Sequence, residues 1–177
     1  MNIRPEHQKR IAALAPDAKS QQAFVDQAIE NALQTAEKAH QNEADALELY
    51  VDGGSRGNPG PAGGGYAVFR NGQLVMKGSE FFGRKTNNQA EYMALKTALQ
   101  AVLQHFPQSP VHCFMDSQLV VRQLQGHYKV KSANVAPLFR DVQTLLKKLP
   151  HFVIQHVPRS QNKLADQLAN EAMDAGR

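Results

Sequence analysis

The stretch ELYVDGGSRGNPGPAGGGY (residues 48–66) places one aspartate between an apolar run and a glycine-rich segment. A short apolar run ends in Asp52, and a segment rich in glycine and proline follows it. The apolar run is typical of a buried strand, and the segment after it is typical of a loop. A single aspartate at the end of a strand is commonly a turn former. Asp52 therefore becomes informative only if other carboxylates reach the same place.

The composition indicates a globular protein with a basic body. The chain has 177 residues, of which 42% are hydrophobic, and its formal net charge is +4. Its one cysteine, Cys113, excludes a disulfide framework and favours a reducing, cytoplasmic location. No apolar run has the length of a signal peptide or a membrane span, so no membrane partner is expected. The positive charge suits a polyanionic partner such as nucleic acid, and a merely solvated basic surface is the alternative.

Residues 1–45 are predicted to form a helical N-terminal extension, separate from the domain over residues 46–177. A short helix is predicted from Pro5 to Leu14, and Ser20 is expected to cap a longer one. The apolar residues of the longer helix recur on one stripe: Phe24, Val25, Ala28, Ile29, Ala32, Leu33, Ala36 and Ala39. One helix cannot bury such a stripe alone. We expect it to pack on the following domain, on a second copy of the chain or on a partner.

From residue 46 the pattern predicts a five-stranded mixed sheet flanked by helices, which is an α/β fold. Strands are predicted over residues 47–51, 65–69, 74–82, 111–115 and 151–157. Helices are predicted over residues 87–106, 117–124, 136–149 and 161–175. Asn71-Gly72 lies between the second and third strands and is a strong hairpin signal. Three antiparallel strands therefore come first, and helix-linked strands follow.

Four acids fall at the ends of these predicted elements. Asp52 ends the first strand and Asp116 ends the fourth, while Glu91 and Asp166 lie early in two helices. The carboxyl ends of parallel strands meet at one edge of a sheet, where open α/β sheets bind ligands. Each acid alone has an ordinary explanation as a turn former, a helix cap or a partner of the helix dipole. Their expected convergence favours a shared role.

Four carboxylates in one cleft repel one another unless cations lie among them. A site made of carboxylate oxygens suits Mg²⁺ or Mn²⁺. Two such ions can activate a water molecule and stabilise the leaving oxygen of a phosphoryl displacement. The sequence therefore predicts a two-metal site at the sheet edge.

The segments that carry the four acids resemble the motifs of the type 1 ribonuclease H family. They occur in the family's order: DGGSRGNPGPAGGGY (52–66), TNNQAEYMALKTAL (86–99), DSQLVV (116–121) and HVPRSQNKLADQLAN (156–170). The resemblance implies a ribonuclease H-like fold with a catalytic domain over residues 46–177. It implies an endoribonuclease that cleaves the RNA strand of RNA–DNA hybrids and leaves 3′-hydroxyl and 5′-phosphate ends. It also implies two Mg²⁺ ions, with Mn²⁺ as an alternative, bound by Asp52, Glu91, Asp116 and Asp166.

Further residues are candidates for contacts with the hybrid: Gly53, Gly54, Asn58, Thr86, Asn87, Asn88, Gln89, Gln118 and Arg159. The two glycines are expected to let a nucleic-acid backbone approach the sheet edge, since they carry no Cβ atom. By resemblance, Asn88 and Gln118 reach bases or 2′-hydroxyls in the minor groove, and Thr86 with Asn58 holds a DNA phosphate. The alternative for residues 86–89 is a helix cap.

His156 is the candidate for proton transfer. It lies ten positions before Asp166, where much of the family has a histidine that assists proton transfer or product release. Imidazole titrates near neutrality, which suits that role. A strand histidine without a catalytic role is the alternative. Some relatives carry an arginine at the position of Arg159, so this residue is an equal candidate for a phosphate contact.

Two other functions are consistent with the motifs. A non-catalytic module that binds hybrids or RNA on the same fold could recruit a partner through its N-terminal helix. A related nuclease could act on another substrate, because the segment GHYKVKSAN (126–134) has only two lysines where bacterial relatives carry a longer basic loop. Retention of all four acids favours the enzyme.

Overall fold

The computed structural model describes residues 3–15, 17–44 and 46–176, which belong to two units, Met1–Ala44 and Asp45–Arg177. The first unit consists of α1 (Pro5–Leu14) and α2 (Ala18–Ala44). Pro5 lies in the first turn of α1, where its missing N–H leaves no helical bond unmade. The prediction that Ser20 caps the long helix is wrong. The carboxylate of Asp17 caps it, since it accepts hydrogen bonds from the Ser20 backbone N–H at 2.9 Å and from the Ser20 hydroxyl at 2.6 Å.

The apolar stripe of α2 is exposed where the structure describes its side chains, except for Val25, which is partly buried. Phe24, Ile29 and Leu33 all present large surfaces, and Leu33 is 52% exposed. The side chains of Ala36 and Ala39 lie outside the described residues. Self-association or a partner contact through this helix stays a prediction. No helix in the described ranges has the length and apolar character needed to cross a membrane.

The second unit contains the predicted five-stranded mixed sheet, in the order β3-β2-β1-β4-β5. Its strands are β1 (Leu47–Ser55), β2 (Gly60–Arg70), β3 (Gln73–Lys85), β4 (Val111–Met115) and β5 (Phe152–His156). Its helices are α3 (Asn87–His105), α4 (Gln118–Leu124), α5 (Ala136–Leu146) and α6 (Lys163–Ala175). A 3₁₀ turn, Arg159–Gln161, precedes α6. β1, β2 and β3 pair antiparallel, whereas β1 with β4 and β4 with β5 pair parallel. The predicted α/β class with an N-terminal helical extension is confirmed.

The predicted hairpin is present between β2 and β3. Asn71 and Gly72 both have positive φ angles, 52° and 73°, and the flanking Arg70 and Gln73 are paired. Two consecutive left-handed residues are the requirement of a tight hairpin turn, which Asn-Gly meets with little strain. This turn fixes the register of β2 and β3 at their far end.

The first strand has one buried face and one partly open face. Leu47, Leu49 and Val51 are fully buried and belong to the main core with the inner side of α3. Side chains alternate along a strand, so Asp52 lies on the other face. It is paired with Gly65 of β2, on which α6 packs. α3 and α6 therefore cover opposite faces of the sheet near its carboxyl edge.

The glycine-rich segment after Asp52 is mostly strand, and the prediction of a long loop there is wrong. β2 begins at Gly60, five residues before its predicted start at Gly65. A Cβ atom on Gly65 would lie 2.5 Å from the backbone nitrogen of Ala169 in α6. A Cβ atom on Gly53 would collide with the backbone of Ala90 in α3. Tertiary packing explains these glycines, because they let two helices lie directly on the sheet.

Candidate active site

A cleft of about 570 Å³ lies at the edge of the sheet where β1 and β4 stop pairing. The last parallel pair of β1 and β4 is Val51 with Met115, so Asp52 and Asp116 directly follow this pair on two neighbouring segments of the chain. Glu91 reaches the cleft from the second turn of α3, and Asp166 reaches it from the first turn of α6. The structure thus brings the four predicted acids from four distant segments to one cavity.

Glu91 is the acid with the clearest environment. Its Oε1 atom accepts a hydrogen bond from the Asn87 amide at 3.1 Å, and its Oε2 atom is buried with no partner among the described residues. Burial raises the pKa of Glu91 to about 7, and the charges of Asp52 and Asp116 act in the same direction. The Ser117 hydroxyl and the Asn87 amide oppose that rise. A buried carboxylate oxygen without a donor is a position that a cation would satisfy.

Asp52 experiences the same accumulation of negative charge. Burial is the main cause that raises its pKa well above the usual range, and the charges of Asp116 and Asp166 add to it. The Gly53 backbone N–H and the Arg159 guanidinium partly offset this effect. The cleft therefore holds more negative charge than its own hydrogen-bond donors stabilise.

Arg159 supplies the positive charge nearest to Asp166. Its Nη2 atom donates to Asp166 Oδ1, and the arginine side chain is 72% exposed. The guanidinium reaches the cleft from the 3₁₀ turn before α6. An exposed pair of this kind is held weakly and can exchange partners.

The donor atoms fit a hard divalent cation. The cleft offers carboxylate oxygens, and Glu91 Oε2 is unpaired within the described part of the chain. Burial first, and then the neighbouring carboxylate charges, raise the pKa values of Asp52 and Glu91, and a cation bound beside them would favour their charged forms. As positioned in the described ranges, no three Asp, Glu, His or Cys side chains form a group that could hold a metal ion. Asp166 Oδ1 is paired with Arg159, so this oxygen would be available to a cation only after that pair separates.

The sequence and the fold of this chain are similar to those of known proteins. Residues 50–172 match the family model described as "Reverse transcriptase-like". Ribonuclease HI of Halobacterium salinarum is 44% identical over 129 residues, which are 72% of this chain and 64% of that protein. The crystal structure of LC11-RNase H1 in complex with an RNA/DNA hybrid is 39% identical, with a TM-score of 0.71, over 73% of this chain and 98% of that one. The chain belongs to the type 1 ribonuclease H family.

The similarity to the type 1 ribonuclease H family covers the second unit of this chain and only part of some relatives. The Bifunctional protein Rv2228c of Mycobacterium tuberculosis is 40% identical over 129 residues, which are 72% of this chain. Those residues are 35% of that relative, so the chain spans about a third of its length. The family model lies wholly within the second unit, Asp45–Arg177.

Four of the predicted ribonuclease H substrate residues line the cleft: Gly53, Gly54, Asn87 and Arg159. Gly54 is the one whose missing side chain leaves room, since a Cβ atom there would lie 3.5 Å from the flexible Met173 side chain. Gly53 differs, because its Cβ position is filled by α3. That both glycines let a nucleic-acid backbone approach stays a prediction, and the packing of α3 on Gly53 is a separate reason for glycine there.

The segment before α3 forms the helix cap that was the structural alternative. The Thr86 hydroxyl accepts from the Gln89 backbone N–H at 3.3 Å, and Gln89 Oε1 accepts from the Thr86 backbone N–H at 3.0 Å. Asn58 Oδ1 accepts from the Asn87 backbone N–H at 3.1 Å, which joins the turn before β2 to the same cap. These side chains therefore have structural partners, and their contacts with substrate stay predictions.

The remaining candidates lie outside the set of described residues that line the cleft. Asn88 and Gln118 are exposed at the starts of α3 and α4. His156 is exposed at the end of β5, paired in register with Met115. The proton-transfer role of His156 stays a prediction. Arg159 differs from it because the structure places the arginine in the cleft itself.

Sequence reasoning missed several residues of the site. Ser117 follows Asp116, caps α4 and lines the cleft. Arg56, which the sequence leaves open as a phosphate contact or a solvated side chain, lines the cleft and pairs with Asp174 at 2.8 Å. Asn162 is buried beside Asp116. Its position before α6 suggests a helix cap, but its side chain makes no cap hydrogen bond, so that signal would have given the wrong partners.

Proposed function

We propose that this member of the type 1 ribonuclease H family is an endoribonuclease that cleaves the RNA strand of RNA–DNA hybrids and depends on divalent cations. The convergence of Asp52, Glu91, Asp116 and Asp166 in one cleft carries the proposal. The crystal structure of the relative LC11-RNase H1 contains an RNA/DNA hybrid, which supports a hybrid as the substrate. The proposed products carry 3′-hydroxyl and 5′-phosphate ends.

The four acids are the proposed ligands of two Mg²⁺ ions, with Mn²⁺ as a second suitable cation. Bound there, the ions supply an activated water and stabilise the oxygen that leaves the phosphorus atom. The chain's part is to hold the carboxylates in place. The Asn87 amide holds Glu91 Oε1, and Oε2 makes no hydrogen bond within the described residues although the Ser117 hydroxyl is close enough to lower the pKa of the group. Glu91 is thereby the proposed link between a cation and the ribose at the cleavage point.

Arg159 is the proposed phosphate contact. Its guanidinium is exposed and already lies in the cleft, where it is bonded to Asp166. A phosphate offers the same bidentate oxygen geometry as a carboxylate, so an incoming strand can take over the arginine. That exchange would release Asp166 to bind a cation. His156, outside the cleft lining, is proposed to receive or deliver a proton at the edge of the bound strand.

The proposed hybrid contacts follow the edges of the cleft. Gly54 provides an opening beside Asp52 for a nucleic-acid backbone, and the backbone of Gly53 lies next to it. The exposed amides of Asn88 and Gln118 are proposed to reach 2′-hydroxyls in the minor groove. Thr86 with Asn58 is proposed to hold a DNA phosphate beside the cap of α3.

Asp52→Asn tests this function because it removes one ligand charge and keeps the shape of the side chain. The assay measures cleavage and binding of hybrid, double-stranded RNA and double-stranded DNA, each with Mg²⁺ and with EDTA. The unmodified protein is expected to cleave the hybrid with Mg²⁺ only, and Asp52→Asn is expected to bind it without cleavage. Asp141→Asn is the matched control, since Asp141 is exposed and pairs with Lys96 on the surface.

The same panel separates the alternatives. Metal-independent binding without cleavage of any duplex would identify a non-catalytic module. Cleavage of double-stranded RNA at the rate of the hybrid would identify a nuclease of another specificity. Full activity of Asp52→Asn with Mg²⁺ present would refute the proposed mechanism.

A further inference from the structure

Asn162 is an unusual residue for the interior of this fold. It lies between the 3₁₀ turn and α6, and it is only 1% exposed. Among the described residues, Gln123 is the one other polar residue that is buried. An amide removed from water remains favourable only where its hydrogen bonds are made. The partners of Asn162 therefore indicate what it does.

The Asn162 amide connects the strands and the helix that carry three of the four acids. Its Nδ2 atom donates to the backbone oxygen of Val51 at 2.9 Å and to Asp116 Oδ1 at 3.2 Å. Val51 immediately precedes Asp52 in β1. The Asn162 backbone oxygen accepts from the Asp166 backbone N–H at 3.0 Å, in the first turn of α6. One residue thus contacts the backbone next to Asp52, the carboxylate of Asp116 and the backbone of Asp166.

The orientation of this amide is determined by chemistry. Both neighbours of Nδ2 are acceptors, so the NH₂ group must face them and the oxygen must point away. The oxygen, Oδ1, is buried without a partner in the described part of the chain. An unsatisfied buried oxygen destabilises the fold. Because this unsatisfied oxygen is tolerated directly beside the acids, we attribute to Asn162 a role in the site rather than in stability.

A neutral amide suits the orientation of a metal ligand. It holds one oxygen of Asp116 and adds no positive charge that would compete with a cation. Arg159 acts differently on Asp166, because its guanidinium neutralises the carboxylate it contacts. Hydrogen bonds from the protein to a ligating carboxylate commonly govern metal affinity.

We propose that Asn162 is a positioning residue that fixes the Asp116 carboxylate and holds α6 against β1 beside Asp52 and against the end of β4, so that the acids can share cations. This inference rests on the proposed metal-dependent function. It adds a specific requirement, which is that loss of one neutral amide weakens cation binding while all four acids remain.

The test compares Asn162→Ala with the unmodified chain and with Gln167→Ala. Gln167 is exposed on α6 and bonds Glu171, so it controls for a substitution in the same helix. Mg²⁺ affinity is measured by calorimetry without nucleic acid, at a temperature where circular dichroism shows each variant folded. Asn162→Ala is expected to bind Mg²⁺ about 10–100-fold more weakly. Its kcat is expected to fall and to recover partly at high Mg²⁺, with the KM for hybrid little changed.

A second measurement uses the unmodified chain and covers the case in which Asn162→Ala does not fold. The side-chain ¹⁵N resonance of Asn162 is followed by NMR during a Mg²⁺ titration. The resonance is expected to shift with the same Mg²⁺ midpoint as the calorimetric titration, since the amide contacts Asp116, a proposed metal ligand. No shift would overturn the inference.

The outcomes separate the inference from the function on which it rests. An unmodified chain that binds no Mg²⁺ and cleaves no hybrid would refute both. Mg²⁺ binding by the unmodified chain, with equal affinity and equal kcat in folded Asn162→Ala, would refute the positioning role alone.

Discussion

Glu91→Gln replaces a buried carboxyl group with a neutral amide of nearly the same shape. Burial raises the pKa of Glu91 from an ordinary value of 4.5 to about 7 in the folded, metal-free protein. Between those two pH values the folded state binds more protons than the unfolded state does. The stability of the metal-free protein therefore falls as pH rises through this window, and the amide variant lacks this contribution.

The magnitude follows from the two pKa values. Their difference corresponds to at most about 3.4 kcal/mol of unfolding free energy at high pH. Between pH 5 and pH 8, the unmodified protein is expected to lose about 2.5 kcal/mol more stability than Glu91→Gln does. A constant offset from hydrogen bonding of the new amide does not change this pH-dependent part.

The assay is urea unfolding in EDTA at pH 5 and pH 8, followed by circular dichroism because the chain has no tryptophan. Glu171→Gln is the matched control, since Glu171 is exposed on α6. In a second series, Mg²⁺ at 100 times its Kd should stabilise the unmodified protein at pH 8 by about 2.7 kcal/mol. The gain should be smaller for Glu91→Gln, which lacks one ligand charge. Parallel pH curves for Glu91→Gln and the unmodified protein would refute the argument that this carboxylate is destabilised by burial.

Two further predictions concern packing and the Arg159 pair. Gly65→Ala should lower the unfolding free energy by more than about 2 kcal/mol, because the new Cβ atom meets the backbone of α6. Gly54→Ala is the control and should change the unfolding free energy little. Equal urea midpoints for the two variants would contradict this prediction. Arg159→Ala should leave Asp166 free and strengthen Mg²⁺ binding by up to about 5-fold, the range of an exposed ion pair, while weakening hybrid binding. Calorimetry and a binding titration measure the two effects, and weaker Mg²⁺ binding would show that the arginine does not compete with the cation.

The strands and helices with strong periodicity could be predicted from the sequence. The order of the elements, the Asn71-Gly72 hairpin and the sites of the four acids all depend on local signals. β2 could not be predicted over its first half, because glycine and proline are poor strand formers by themselves. Its strand conformation depends on pairing with β1 and β3 and on the close approach of α6, which are long-range effects.

The sequence predicted that the site residues converge, but it did not predict which partners their side chains have. A helix cap over residues 86–89 was one of two interpretations of the sequence, and the capping box of Thr86 and Gln89 bears out the cap. Arg159 and His156 were equal candidates by position, yet only the arginine is in the cleft lining. The structure separates them because the 3₁₀ turn carries Arg159 back over the end of the sheet while His156 remains at the end of β5.

The glycine contacts of β2 have a consequence for saturation mutagenesis. A scan scored by cleavage alone would rank Gly65 with Asp52, although one sets a backbone separation and the other supplies a charge. Cellular abundance scored in the same library would distinguish them, because acid variants should accumulate normally and Gly65 variants should not. Transfer of this site to another scaffold would likewise require the glycine-lined surface of β2 beneath α6, since a thicker interface would move Asp166 away from the other three carboxylates.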